Sequence, residues 1–272
     1  VVDIIDVGFT PEGLAYMAME LIDGEDLSTL LARTGPLPWS RLAPMVLQLC
    51  DALAATHARG IVHRDIKPEN CVVTEFNGAQ DFVKLIDFGI AKDLAGNLDH
   101  NNRPRTVSGS VYGTAAYVAP EILSGKTADA RVDIYALGIV MYRMVTGVLP
   151  FSTDTDNYMA VLSQHLTDAP VPPRQQNPAA NIPPKIEQII LKALEKDPAH
   201  RYQKVEELIA ALREAQMTLT GTSSTGILTT LPKLTRARTL RKKPSPMPLG
   251  LLLALAGVLL VGVVAIVWTL LG

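Results

Sequence analysis

Short apolar runs open the chain, and "VVDIIDVGF" and "LAYMAMEL" flank the turn sequence "TPEG", which predicts a strand hairpin over the first 21 residues. The spacing then changes. A helix is expected over Leu27–Ala32, broken by "TGPLP". A longer one is expected over Ser40–His57, where Leu42, Val46, Leu49 and Leu53 recur at helical intervals and Gly60 follows the end. Short strands are expected at Cys71–Val73 and Phe82–Ile86, and residues 93–112 read as a polar, irregular loop. From Ala119 onward the pattern is helical with Pro-rich connectors, over Asp133–Thr146, Asp156–Leu166, Pro184–Glu195 and Val205–Ala215. No repeat is visible. A little β structure at the start followed by helices predicts an α+β fold.

Composition adds a membrane segment to this picture. The 272 residues are 48% hydrophobic, enough for a substantial core, but part of that fraction sits in Leu249–Leu271, 23 residues without a charge. As a helix that stretch reaches about 35 Å, against a hydrocarbon core of about 30 Å. Buried core helices rarely run so long without a polar face, and a signal peptide is excluded by position. Lys233, Arg236, Arg238, Arg241, Lys242 and Lys243 precede the span, so residues 1–248 are expected in the cytoplasm, with Trp268 as an interfacial anchor. The expected organisation is a globular part over 1–215, a Ser/Thr/Pro-rich and basic linker over 216–248, and a single transmembrane helix over 249–271. Those six cations leave 19 of the 25 Lys and Arg against all 27 Asp and Glu in residues 1–231, a balance of −8 that argues against nucleic-acid binding. Cys50 and Cys71 lack metal-ligand spacing and read as buried, reduced thiols, in keeping with a cytosolic globular part.

Between the long helix and the strand "CVV" lies the octet "HRDIKPEN", His63 to Asn70. Charges clustered beside a core are costly unless they pair, bind a ligand or do chemistry. The plain alternative is a surface loop whose charges pair among themselves. The octet has company, however. Asp87-Phe88-Gly89 follows the apolar run "FVKLI", 17 residues after Asn70; "GTAAYVAPE" and "DIYALG" come later. Singly these are chance-level strings, but their order and spacing carry a signal.

In these motifs the chain resembles the eukaryotic-like protein kinases, in particular the bacterial membrane-anchored Ser/Thr kinases, over roughly residues 1–215. The resemblance implies a protein-kinase-like fold, of which the hinge hairpin and the helical large lobe are represented. It implies ATP and Mg²⁺ (or Mn²⁺) as cofactors. The partners it implies are protein substrates, membrane lipid and a second kinase copy for trans-autophosphorylation. Asp65 matches the aspartate that accepts the proton of the substrate hydroxyl; Lys67, the choice of Ser/Thr kinases, offsets charge on the transferring phosphoryl group; Asn70 and Asp87 match the two metal-holding positions. Met19 falls at the gatekeeper, Glu20 to Ile22 at the adenine-binding hinge and Asp26 near the ribose. Val72 and Ile86 would line the adenine pocket or simply be core. His63, Phe88, Gly89, Glu121, Asp133 and Arg201 match structural positions: Glu121 with Arg201 as a buried ion pair, Asp133 as the residue bonding the catalytic-loop backbone. Arg64 before Asp65 marks kinases switched on by loop phosphorylation, and Thr106 and Ser108 fall where related kinases carry activating residues; Thr114 matches the threonine that bonds the catalytic Asp and Lys. The opposing reading treats Thr106 and Ser108 as ordinary solvated hydroxyls.

Other parts of the family pattern are absent from the sequence. No G-x-G-x-x-G occurs, no V-A-I-K lysine is present, and Lys84 in "FVKLIDFG" belongs to a different strand. The expectation is a kinase domain whose N-terminal part is missing, with little activity in the chain as given. The rival is a catalytically dead, membrane-tethered scaffold.

Overall fold

The computed structural model describes residues 1–87, 115–152 and 157–220, all within one unit that spans residues 1–224. The expected α+β arrangement is present. Strands β1 (Ile4–Phe9) and β2 (Ala15–Met19) form an antiparallel hairpin with Val7 opposite Met17 and a register shift between Ile4 and Asp6. Its turn closes through the Gly13 amide on the Thr10 carbonyl at 2.9 Å, with Gly13 at φ +82°. The hairpin buries little of its apolar content: Ile5 is 71% exposed and Phe9 76%.

A second sheet has the order β3 (Gly24–Asp26), β4 (Cys71–Phe76), β5 (Ala79–Leu85), all antiparallel. The period of two along β4 and β5 places Cys71, Val73, Val83 and Leu85 on the buried face, where β5 packs on helix α2 (Trp39–His57). Strand β3 has no apolar alternation of its own and forms by pairing with β4. Strands β4 and β5 are longer than expected and make one hairpin, because Asn77 and Gly78 both take positive φ, 50° and 77°, as a type I′ turn requires. Helix α1 (Leu27–Thr34) buries Leu27, Leu30 and Leu31 at i, i+3 and i+4.

Helix α2 buries Leu42, Met45, Val46, Leu49, Cys50 and Leu53. Helix α3 (Pro120–Leu123) precedes α4 (Arg131–Thr146), which is buried almost all round and forms the axis of the core. A side chain could not replace Gly138 freely, since a Cβ there would lie 3.0 Å from both Ala193 and Leu194. Around α4 stand α5 (Tyr158–Thr167), α6 (Pro173–Gln176), α7 (Pro184–Ala193) and α8 (Val205–Thr220), the last packed on α2. Helix α8 continues five residues past the expected end at Ala215. Among the described residues no helix is long and apolar enough to cross a membrane; the expected span 249–271 lies outside them.

Candidate active site

The octet leaves α2 after a turn at Gly60, φ +74°, and its backbone is held from the start of α4. Asp133, 1% exposed, accepts the His63 amide and the Arg64 amide, each at 2.8 Å, and bonds His57 Nε2 at 2.8 Å. A buried carboxylate is tolerable with that many donors and with the first turn of a helix beneath it. The same bonds hold Arg64 at φ +62°, a left-handed backbone that an L residue adopts at a cost of about 1–2 kcal/mol. His63 is fully buried. Its Nδ1 accepts the Asp65 amide at 3.3 Å, which leaves Nε2–H to donate to the Ile86 carbonyl at 3.0 Å. Burial lowers its pKa, so the ring is neutral.

Asp65, Lys67 and Asn70 converge. The Asn70 side-chain amide donates to the Asp65 carbonyl at 2.8 Å and to its Oδ2 at 3.1 Å, while Lys67 Nζ stands 3.1 Å from the same Oδ2. A 3-10 turn over Pro68–Asn70 sets this spacing. The Ile86 amide donates to the Asn70 carbonyl at 2.9 Å, tying the end of β5 to the loop immediately before Asp87. Asp87 is exposed, takes φ +53°, and is close enough for its charge to act on His63. Further out, Arg201 meets Glu121 through two bonds of 2.7 and 2.8 Å, both side chains being buried.

The protein kinase domain family matches residues 1–211. The chain belongs to the protein kinase family. It is 39% identical over 212 residues to the serine/threonine-protein kinase Pkn3 of Myxococcus xanthus, covering 78% of this chain and 38% of that protein. It is 37% identical over 250 residues to the serine/threonine-protein kinase PknB of Mycolicibacterium smegmatis, covering 89% of this chain and again 38% of the relative. The chain therefore spans little more than a third of these relatives. The crystal structure of the PknI kinase domain of Mycobacterium tuberculosis superposes with a TM-score of 0.58 at 25% identity, over 79% of this chain and 71% of that one.

The residues expected at the hinge meet the second sheet. Met19 ends β2 half-buried, and Glu20 accepts the Asp3 amide at 3.0 Å while Lys84 Nζ reaches its other oxygen at 2.6 Å. The bond to Lys84 holds the Glu20 carboxyl below the usual carboxylate range. Ile22 is half-buried. Val72 is in register with Asp26 and Lys84, so it shares the sheet face opposite Cys71 and Val73. Asp26, expected near the ribose, uses its carboxylate to cap α1, accepting from the Thr29 amide at 3.0 Å and the Thr29 hydroxyl at 2.7 Å. Ile86 contributes two backbone bonds besides its half-buried side chain. Phe88, Gly89, Thr106, Ser108 and Thr114 lie outside the described residues.

The donor set suits a hard cation. Asn70 spends its amide nitrogen on Asp65, which leaves its oxygen available, and Asp87 adds a carboxylate. Two protein oxygens are what Mg²⁺ takes where phosphates and water complete its shell. Among the described residues no group of three or more His, Cys, Asp or Glu could hold a metal on its own. Sequence reasoning missed three contributors. His57 becomes a donor on Asp133 only through a contact 76 residues away. Lys84 matches no family lysine in its strand, yet it pairs with Glu20 at the expected hinge. Arg143 donates to the Tyr117 hydroxyl at 2.8 Å and lies 4.0 Å from Glu69, joining the Ala119-Pro120-Glu121 segment to the octet.

Proposed function

We propose that the chain carries the catalytic large-lobe half of a Ser/Thr protein kinase that signals at the bacterial membrane. The observation that carries this reading is the convergence of Asp65, Lys67 and Asn70 on one carboxylate oxygen, on a loop whose backbone is clamped by Asp133. In the proposed reaction a protein Ser or Thr hydroxyl bonds to the γ-phosphorus of ATP. The bond to the bridging oxygen breaks, and ADP leaves with the electron pair. Asp65 orients the hydroxyl and takes its proton. Lys67 offsets the charge that gathers on the phosphoryl oxygens. Asn70 and Asp87 would hold Mg²⁺, which neutralises triphosphate charge. The Glu20–Ile22 backbone and Val72 would receive adenine. The closeness of Lys67 to Asp65, together with relatives named as Ser/Thr kinases, favours Ser/Thr acceptors.

A phosphate on Thr106 or Ser108 would dock at Arg64 through charge-assisted hydrogen bonds. A second copy would deliver it. The charge-free stretch 249–271 behind the basic cluster would anchor the kinase with its catalytic part on the cytoplasmic side. No Gly-rich loop or strand lysine occurs in the sequence, so the triphosphate lacks its clamp in the chain as given. Each such interaction is worth about 3–4 kcal/mol, roughly 10²–10³ in rate. The purified chain should therefore incorporate almost no labelled phosphate into a generic protein acceptor. Robust incorporation would overturn the requirement for that clamp.

A further inference from the structure

The second sheet turns one face to the core, with Cys71, Val73, Val83 and Leu85 buried. Val72, Thr74, Phe82 and Lys84 alternate onto the opposite face, Val72 in register with Lys84 and Thr74 with Phe82. Phe76 joins them at the end of β4, its ring stacked on Phe82 at a centroid distance of 4.8 Å. Lys84 supplies a charge to this face. Its side chain is only 15% exposed, its Nζ lies 5.8 Å from the centre of the Phe76 ring, and it donates to Glu20 Oε2 at 2.6 Å. An aliphatic stem laid along apolar surface, with the charge at its tip, lets a lysine be half-buried without stranding its ammonium.

Glu20 uses its two oxygens in different directions. Oε1 accepts the Asp3 amide at 3.0 Å, and the Glu20 amide donates to the Asp3 carbonyl at 3.0 Å, so the residue is fastened to the base of the β1–β2 hairpin. Oε2 receives the Lys84 ammonium from β5. One carboxylate therefore couples the hairpin to the second sheet, beside the Val2 amide on the Leu85 carbonyl at 3.0 Å. We propose that Lys84 is a positioning residue: by holding Glu20 it fixes where the Glu20–Ile22 backbone stands against the Val72 face of the second sheet. The inference rests on the kinase reading proposed above, in which adenine is received by that backbone and by Val72. The role needs a charge at the end of a long stem, because a neutral hydrogen bond is roughly half as strong. Both side chains are partly solvated, so the pair biases the hairpin rather than locking it.

The test is hydrogen exchange of the full chain and its variants. Lys84→Met keeps the stem and removes the ammonium; the amides of Asp3 and Glu20 should then exchange about threefold faster, while those of Val73 and Val83 stay unchanged. Glu20→Gln should act in the same way, and combining the two should add nothing, since one contact has been removed twice. Lys84→Arg, which keeps the charge, should restore the wild-type pattern. Adenosine, followed through the amide shifts of Ile22 and Val72, reads the consequence for the ligand: the response should weaken in Lys84→Met and return in Lys84→Arg. Additive effects in the double variant, an equal rise through β4 and β5, or an adenosine response undiminished in Lys84→Met would overturn the proposal. A wild-type chain without any adenosine response would count against the adenine edge of the kinase reading, and the exchange pattern would then decide the coupling by itself.

Discussion

The β1–β2 hairpin and helix α4 treat their side chains in opposite ways. Along the hairpin Ile4, Ile5, Val7, Phe9, Leu14, Tyr16 and Met17 are exposed, and Leu21 just beyond it is 98% exposed. Along α4 even the polar Asp133 and Thr146 are buried, and each has its hydrogen bonds made. An isolated two-stranded hairpin is marginal in water, whereas a helix enclosed on all sides takes its stability from packing. The hairpin leans on the rest through a few ties at its base, the Val2 amide on the Leu85 carbonyl and the Glu20–Lys84 pair. The proposed catalytic geometry is thus seated in the self-sufficient region, and the proposed adenine edge in the dependent one.

The largest test of that contrast is Arg201→Ala. It strands the Glu121 carboxylate in the core and removes a cation held 4.7 Å over the Tyr135 ring. The loss should be about 3–5 kcal/mol, seen in denaturant unfolding of the helical region. A loss below 1 kcal/mol would mean the α4 region is not the unit described. Acid should find the same region through His165. A histidine whose folded pKa is depressed contributes stability that is complete above its unfolded value of about 6.5 and is lost as pH falls toward about 3. Between pH 7 and pH 5 that amounts to about 2 kcal/mol, with His63 adding in the same direction. His165→Gln should flatten most of this slope, and an unchanged slope would assign it elsewhere. A smaller effect is expected for Arg41→Ala, which breaks the two bonds to Asp81 joining α2 to β5. The pair is partly solvated, so about 1 kcal/mol is expected, again by denaturant unfolding. Smallest of all, Phe9→Ser on the hairpin should move stability by no more than about 0.5 kcal/mol in denaturant unfolding. A large destabilisation there would show that the hairpin is packed after all.

What could be read from the sequence follows from the same contrast. The stripes of α1, α2 and α7 were legible because each helix has one buried face, and the octet because its charges stand between apolar runs. Strand β3 was not, since Gly24-Glu25-Asp26 has no pattern and pairs only because β4 presents an edge. The β4–β5 turn carries a usable signal in Asn77-Gly78, weakened because the flanking runs alternate poorly. Asp26 could be placed near the ribose by family likeness, but its cap on α1 depends on Thr29 three residues later, a local rule that was available. His57, Lys84, Arg143 and His165 act through partners distant in sequence, which no local pattern encodes.

We propose that residues 63–87 form a phosphoryl-transfer site, and no Gly-rich loop or strand lysine to hold the triphosphate occurs in this sequence. The most direct measurement joins this chain behind a family small lobe carrying the Gly-rich loop and strand lysine, and compares labelled-phosphate transfer with that of the same chimera bearing Asp65→Asn. Mg²⁺-dependent transfer to Ser and Thr is expected in the first and a loss of at least about 10²-fold in the second, with nucleotide still bound. Near-equal rates from the two chimeras would contradict it.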